Sequence, residues 1–508
     1  MRFANTANTA TVLTLSLGSA IAIGDPALLS SNIAIIRSDM QLSLSAASLV
    51  TSGAFLTLAG TILGAGALGD NYGRRKMFLV GACGAFMFGL VGAAAPNVAV
   101  LTAARVGAGV SFAFLLSLSL AIVNAAFPPD RIAGAIALYI GAGSALAIVP
   151  PIVGSELIDH FGWRSGFLVT PVLALVLIAS TVKFVPETPR AHRALDLAGM
   201  LLLAVALITL LYGVSHLNEG IHAAALVPIM IGILSAAAFW WWESHTAEPA
   251  LEPRIFRSPG FAAAIFAGAV YAFVMGGSAA VLTGYIVIIR GAPATLLHLL
   301  YIPGTILAAL TAVGAGRATA RLGGSTVMVG GLVLLAVAMS ARLVADGNTP
   351  ISVLAVLMAA GAIAGAIVQT TQTTVLMNSA PQSLGGVVSA AKSTVQSVAY
   401  AFGSALFTLL GVALFQLLGG KKLAGYGISA EQARDMLRMT HVHGASHGIP
   451  NVNANDPQRA EWVVSAASSI WIQVGQILSL SMAAASLAAA GLAFAILRPR
   501  RVSPTSRQ

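Results

Sequence analysis

Three ionisable side chains stand inside long apolar runs of this chain: Asp25 within 11–35, Arg105 within 98–126 and Glu156 within 133–157. Where such runs cross a lipid bilayer, a charge near the centre costs at least about 2.5–3.5 kcal/mol, so it is retained for pairing or for function. Asp25 can gain and lose a proton as its surroundings hydrate and dry, and Arg105, which stays charged, can set that balance. The expected chemistry is proton transfer: Asp25 takes up and releases a proton, with Arg105 as its electrostatic partner. The plainer alternative is a structural ion pair that holds two helices in register. Glu156 lies near the end of its run, where it either joins the proton path or lines an outer vestibule.

A second cluster is Gly66-Ala-Leu-Gly69-Asp70-Asn-Tyr-Gly73-Arg74-Arg75-Lys76, between two apolar runs. An ordinary basic loop accounts for Arg74, Arg75 and Lys76 but not for Asp70 or the glycine spacing. A carboxylate between two helix ends can pair with Arg74 or a neighbouring helix terminus in one conformation and release it in another, which is a gate. Further along, Ser389, Ser393, Gln396 and Tyr400 recur at helical spacing, with Lys392 an unexpected charge beside them, and Gln369 and Gln372 add polarity one run earlier. A polar stripe in lipid faces protein or water, so these residues either line a cavity or hydrogen-bond between helices. Pro150, Pro151 and Gly154 predict a bend, because proline removes a helical hydrogen bond.

Other chemistries find no support. The single cysteine, Cys83, forms no intrachain disulfide and no thiolate metal cluster. His441, His443 and His447 lie close together without a carboxylate or cysteine, so a solvated loop is expected rather than a metal site. No Gly-Lys-Ser/Thr loop follows a strand, so an ATP motor is not expected, and no cofactor is implied. A membrane-embedded enzyme needs clustered His and Asp/Glu at helical spacing within the spans, which are lacking.

The elements that carry these residues follow from composition. Of 508 residues 57% are hydrophobic and 9% charged, with mean hydropathy +0.88, which excludes a soluble protein because the exposed apolar surface would aggregate. Breaks at Gly, Pro, Asn and charge clusters leave fourteen runs: 11–35, 43–68, 77–95, 98–126, 133–157, 166–185, 195–216, 222–242, 261–289, 295–315, 325–344, 351–377, 385–418 and 469–497. Each is long enough to span a bilayer as a helix. With both termini inside, seventeen basic residues, Lys392 and the tail Arg498, Arg500, Arg501 and Arg507 among them, fall on inner elements. Only Arg37, Arg164, Arg290 and Arg342 fall on short outer loops. The net charge of +10 then marks a cytoplasmic face attracted to anionic lipid rather than a nucleic-acid partner. A rival reading takes Arg2, the apolar run and Ala20/Ala22 as a cleaved signal peptide, which would sever Asp25 from its helix.

A shift of 250 residues superposes Gly66, Gly73 and Gly81 on Gly316, Gly323 and Gly331. Two related six-helix halves are therefore expected, 1–190 and 260–508, with a substrate site between them. Residues 191–259 insert two further spans, and Trp240, Trp241 and Trp242 are expected to anchor at the interface. The second half carries a long polar loop, 419–468, with a short amphipathic helix expected at 429–439.

The 66–76 run closely resembles the loop 2–3 motif of the major facilitator superfamily. The likeness extends along the chain to that superfamily's fourteen-spanner drug:proton antiporters. Asp25 and Asp39 keep that family's spacing of two acids on segment 1, and Arg105 with Gly109 keeps part of its segment-4 pattern, Ala108 standing where Gln is usual. Phe127-Pro-Pro-Asp130-Arg131, Trp163-Arg164, Lys183-Phe-Val-Pro186-Glu187 and Leu195-Asp196-Leu-Ala-Gly199 are similar too. The antiporter motif of segment 5, Gly-Pro-x-x-Gly-Gly, is altered here to Pro150-Pro151-Ile-Val-Gly154-Ser155. The resemblance implies an all-α major facilitator fold in a bacterial inner membrane. It implies a proton-coupled exporter of lipophilic, cationic or amphiphilic small molecules, whose partners are substrate, protons and the bilayer, with a periplasmic adaptor left open. The altered segment 5 leaves a metabolite transporter of the same fold, exporter or importer, as an alternative, and a non-transporting receptor as a more distant one.

Overall fold

A computed structural model describes residues 6–42, 44–188, 190, 196–217, 222–246, 258–286, 295–379, 385–424 and 457–497. The three loop histidines, the amphipathic stretch at 429–439, most of the 243–260 linker and the arginine tail lie outside the described residues. The chain is all-helical there, as a membrane chain must be unless it closes a barrel, because only then are its backbone groups satisfied within lipid. The helices are α1 (Thr6–Asp39), α2 (Leu44–Tyr72), α3 (Arg74–Ala93), α4 (Val98–Ala126), α5 (Pro129–Leu146), α6 (Val149–Phe161), α7 (Trp163–Gly166) and α8 (Val169–Phe184). They continue with α9 (Leu197–His216), α10 (Ala223–His245), α11 (Pro259–Gly284), α12 (Thr295–Leu322), α13 (Gly324–Ala341), α14 (Ile351–Asn378), α15 (Gly385–Ala424) and α16 (Pro457–Leu497). Among the described residues fourteen helical stretches are long and apolar enough to cross a membrane, each overlapping one expected run.

Local chemistry explains where the helices break. α2 and α3 are linked by Gly73 alone, at φ 107°, and α12 and α13 by Gly323 alone, at φ 84°. Both take a conformation that L side chains rarely adopt, and they stand 250 residues apart, so two of the three matched glycines make the same kind of turn. Segment 5 is broken into α5 and α6 ahead of Pro150 and Pro151, as the missing N–H groups require. Segment 1 is unbroken to Asp39, with Ala20, Ile21 and Ala22 buried in the core; the stretch that resembles a signal peptide is thus part of a packed helix. Helix continues into the expected 419–468 loop from both ends, to Ala424 and from Pro457, because the helical backbone outlasts the apolar run.

α1 begins and α16 ends on one side, the termini face. Here a single apolar core draws on both ends of the chain: Leu15, Phe78, Leu118 and Ile136 pack in one cluster with Phe261, Met328, Met377 and Val388. Near the opposite face the buried clusters divide, one around Leu29, Leu101 and Trp163 and another around Leu282, Tyr285 and Leu354. Segment 5 shows the same division: α5 packs on α1 and α4 and also on α12 and α14, whereas α6 packs chiefly on α1, α7 and α8 among the described elements. The two groups of helices are therefore sealed together at the termini face and held apart beyond it. The pair α9–α10 packs on itself and, through α9, on α2 and α15.

Candidate functional site

Asp25 on α1 and Arg105 on α4 meet in the interior, 5% and 2% exposed. Arg105 Nη1 lies 2.6 Å from Asp25 Oδ1, and the Thr170 hydroxyl, on the first turn of α8, donates to Asp25 Oδ2 at 2.5 Å. The Phe167 ring lies 5.9 Å from the guanidinium carbon, while Arg105 Nε and Nη2 have no hydrogen-bond partner among the described residues. A narrow cleft adjoins the pair, lined also by Leu28, Asn32 and Ile158. The arrangement couples one carboxylate to a fixed cation and a neutral donor, so protonating Asp25 removes a charge attraction and leaves Arg105 in search of a new acceptor. Thr170 and Phe167 carry no distinctive sequence signal, since a threonine or a phenylalanine in an apolar run is unremarked.

Segment 5 builds the wall of this site. A Cβ on Gly24 would lie 2.7 Å from Pro150 Cγ and 2.8 Å from the Ala147 carbonyl, and one on Gly154 would lie 2.4 Å from Leu28 Cδ2. One turn further, Asn32 donates to the Ser155 hydroxyl at 3.0 Å. Pro150, Gly154 and Ser155 thus run along Gly24, Leu28 and Asn32, successive turns of one face of α1. Pro151, beside Pro150, shares in the break. Glu156 is not brought to the pair: its side chain is 73% exposed and lies 3.7 Å from His160. Gly154 and Ile158 are buried and Glu156 falls between them in sequence, so helix geometry turns it away from the core.

Asp39 forms a separate clasp near the end of α1, accepting the Trp163 indole N–H at 2.7 Å and standing 3.6 Å from Arg164 Nη1. At the termini face Arg74 Nε pairs with Asp70 Oδ1 at 2.7 Å across the Gly73 turn, both side chains buried. Gly66 is buried in the same helix end, and a Cβ on Gly69 would lie 2.1 Å from Leu118 Cδ2, so α2 lies flush on α4. Arg75 donates to the Val182 carbonyl at 2.7 Å. Glu187, a residue the motif does not single out, accepts the Arg75 backbone N–H at 3.1 Å, which places a carboxylate at the start of α3, where the helix dipole favours one.

In the second half, Gln396 Nε2 on α15 donates to Gln372 Oε1 on α14 at 3.0 Å, and Gln369 Nε2 reaches the Tyr271 hydroxyl at 3.3 Å. Part of the polar stripe therefore serves as interhelical hydrogen bonding. Ser389 and Lys392 are buried, Ser393 is half-buried and Tyr400 exposed. Arg342, assigned to an outer loop by its position at the end of an apolar run, is instead buried in a 3-10 turn, with Nη1 donating to Ser278 at 2.6 Å. Trp240, Trp241 and Trp242 are all exposed, and the Trp242 indole donates to Asp196 at 2.9 Å and ties α10 to the start of α9. No group of three or more potential metal ligands occurs among the described residues.

Known proteins share this plan. The chain is 29% identical over 364 residues to the multidrug resistance protein Stp of Mycobacterium tuberculosis, covering 71% of this chain and 67% of that one. It is 28% identical over 415 residues to the tetracenomycin C resistance and export protein of Streptomyces glaucescens, covering 78% and 74%. The crystal structure of the human organic anion transporter MFSD10 superposes with a TM-score of 0.60 over 96% of this chain and all of that one, at 17% identity, a likeness of fold alone. A family profile described as Major Facilitator Superfamily matches residues 15–404, well over half of the sequence, and the chain belongs to that superfamily of membrane transporters.

Proposed function

We propose that the protein is a proton-coupled antiporter that exports lipophilic compounds across a bacterial inner membrane by alternating access. Residues 1–190 and 260–508 act as the two rocking halves, 191–259 is an inserted pair, and the termini face is cytoplasmic. The observation that carries this reading is the buried Asp25–Arg105–Thr170 group set against the segment-5 break. Asp25 is the one carboxylate of the described apolar spans that is both buried and remote from their ends, so it is the group available to exchange a proton with each face in turn. In the sealed-termini arrangement Asp25 is ion-paired. A proton arriving from the open side neutralises it, loosens Arg105 and changes the packing of α1 against α4, α6 and α8, which biases the halves towards the opposite opening. At the termini face Asp70, Arg74, Arg75 and Glu187 meanwhile tie α2, α3, α4 and α8 to one another. The names of the relatives, among them multidrug and antibiotic resistance proteins, support a drug-like cargo.

The test is accumulation of a neutral lipophilic dye in a host stripped of its own exporters. Expression should lower the steady-state dye content, and an uncoupler that collapses the proton gradient should restore it. A reduction that survives the uncoupler refutes proton coupling.

A further inference from the structure

The second half of the molecule is unbalanced in charge. From Pro259 to Gly419 its sequence holds one acid, Asp346, which lies in the turn between α13 and α14. Yet the same stretch holds Lys392 in the third turn of α15, inside its apolar span, with 9% of its surface exposed. The Lys392 ammonium makes no hydrogen bond or ion pair among the described residues. Helices α2, α4, α9, α11, α14 and α16 pack on α15, and between them they carry two acids. One is Asp70, at the termini end and paired with Arg74. The other is Glu461, in the second turn of α16 and outside its apolar span. The Asp25 carboxylate is committed to Arg105 and Thr170.

The position of Lys392 is informative. Residues 387–392 of α15 are buried, 393–399 half-buried, and Tyr400 exposed, while Val387, Val388 and Ala390 belong to the core that joins the two groups of helices at the termini face. Lys392 therefore stands where the seal gives way to accessible space, one turn below Gln396 and its partner Gln372. A lysine held in an apolar span without a counter-ion is costly, and what would offset that cost is an anion that comes and goes. A cationic cargo finds the reverse of what it needs, since no uncommitted carboxylate faces it here.

We propose that the cargo is a lipophilic organic anion, such as an aromatic carboxylate, phenolate or sulfonate, and that Lys392 is its counter-ion at the floor of the opening between the halves. The apolar body lies along α11, α14 and α15, and Gln396 and Gln372 supply neutral hydrogen bonds beside the charged group. This assignment rests on the transport reading above for its purpose but not for its measurement, because binding is read separately.

Three probes of matched shape separate charge from lipophilicity: 1-naphthalenesulfonate, the neutral 1-naphthalenesulfonamide and (1-naphthylmethyl)trimethylammonium. Binding to the purified full-length protein is measured at equilibrium, and uptake is measured in inside-out proteoliposomes under a proton gradient. The sulfonate should bind about tenfold or more tightly than the ammonium. Lys392→Gln should weaken the sulfonate by about tenfold or more while shifting the sulfonamide by less than about twofold, and Lys392→Arg should restore the sulfonate. Because Lys392→Gln removes an unpaired buried charge, it should melt no lower than the unmodified protein, which separates lost binding from lost folding. Preference for the ammonium, no measurable sulfonate binding, or a Lys392→Gln variant that binds sulfonate as before overturns the proposal. Sulfonate binding without uptake upholds the charge assignment and refutes the transport reading; uptake of the ammonium alone does the opposite.

Discussion

Asp25→Asn removes the titratable group while keeping its size and its capacity to accept from Thr170. Asp25 and Arg105 are 2.6 Å apart and both almost fully buried. Removing one partner of such a pair costs about 3–5 kcal/mol, because the other charge is left uncompensated. The upper part of that range applies, since Arg105 Nε and Nη2 already lack partners among the described residues and only Nη1 is served. At about 1.4 kcal/mol per factor of ten, a loss of about 4–5 kcal/mol felt only in the sealed-termini state shifts the balance between the two openings by about three to three and a half powers of ten. The variant should therefore favour the opening in which Arg105 finds water, and it should carry no proton. The assay is a pH-sensitive dye trapped in proteoliposomes: adding substrate should move protons with the unmodified protein and not with Asp25→Asn, while exchange of labelled for unlabelled substrate persists. The double variant Asp25→Asn/Arg105→Gln should recover much of the lost thermal stability, because no orphaned charge remains, but not the proton flux. Proton movement of normal size in Asp25→Asn would refute the coupling role and leave the pair as a structural bond.

Glu156→Gln should leave proton-coupled transport and its pH profile unchanged, because the side chain is exposed and its one polar partner among the described residues is His160; a shift of the profile by one pH unit or more would return it to the proton path. Gly73→Ala and Gly323→Ala should both lower the melting temperature, each forcing a side chain into positive φ at about 1–2 kcal/mol. Gly73→Ala should do so more, since its Cβ would lie 3.2 Å from the Glu187 carboxyl whereas Gly323 faces open space; an equal or reversed order contradicts the clasp at the start of α3.

The spans were legible because hydropathy is a bulk property: fourteen apolar runs had to become fourteen crossings whatever their detailed packing. The Asp25–Arg105 pair was legible for a related reason, as two opposite charges placed in lipid are forced to find each other. What the sequence hides is direction around a helix axis and the identity of neutral partners. Glu156 is as deep along its run as a vestibule residue should be, yet the buried Gly154 and Ile158 on either side of it fix the inward face and turn it out. Arg342 reads as a loop cation because hydropathy falls there, while a 3-10 turn folds it back onto Ser278. Thr170 was invisible since threonine in an apolar helix usually bonds its own backbone, and only the meeting of α1, α4 and α8 gives it an acid.

The altered antiporter motif of segment 5 draws its meaning from Gly24. The family pattern has glycine before the proline, and here Pro150 stands in that place. The lost close approach is supplied from the other side, since Gly24 on α1 presents bare backbone to Pro150 and Ala147. The bare backbone at this contact is thus on segment 1, next to Asp25. Gly24→Ala therefore introduces a methyl 2.7 Å from Pro150 Cγ and 2.8 Å from a backbone carbonyl, which neither a flexible side chain nor a rotamer change can relieve. Helix α1 must shift by several tenths of an ångström, against an Asp25–Thr170 hydrogen bond of 2.5 Å and an Asp25–Arg105 pair of 2.6 Å. Overpacking of this kind costs about 1–3 kcal/mol. Gly24→Ala should thus depress substrate-driven proton release by about tenfold with every ionisable residue in place, and Pro150→Gly in the same chain should restore part of it, by removing the opposing ring but not the contact with the Ala147 carbonyl. If Gly24→Ala couples normally, α1 and α6 do not move as a packed unit, and the altered motif has no part in setting the geometry of Asp25.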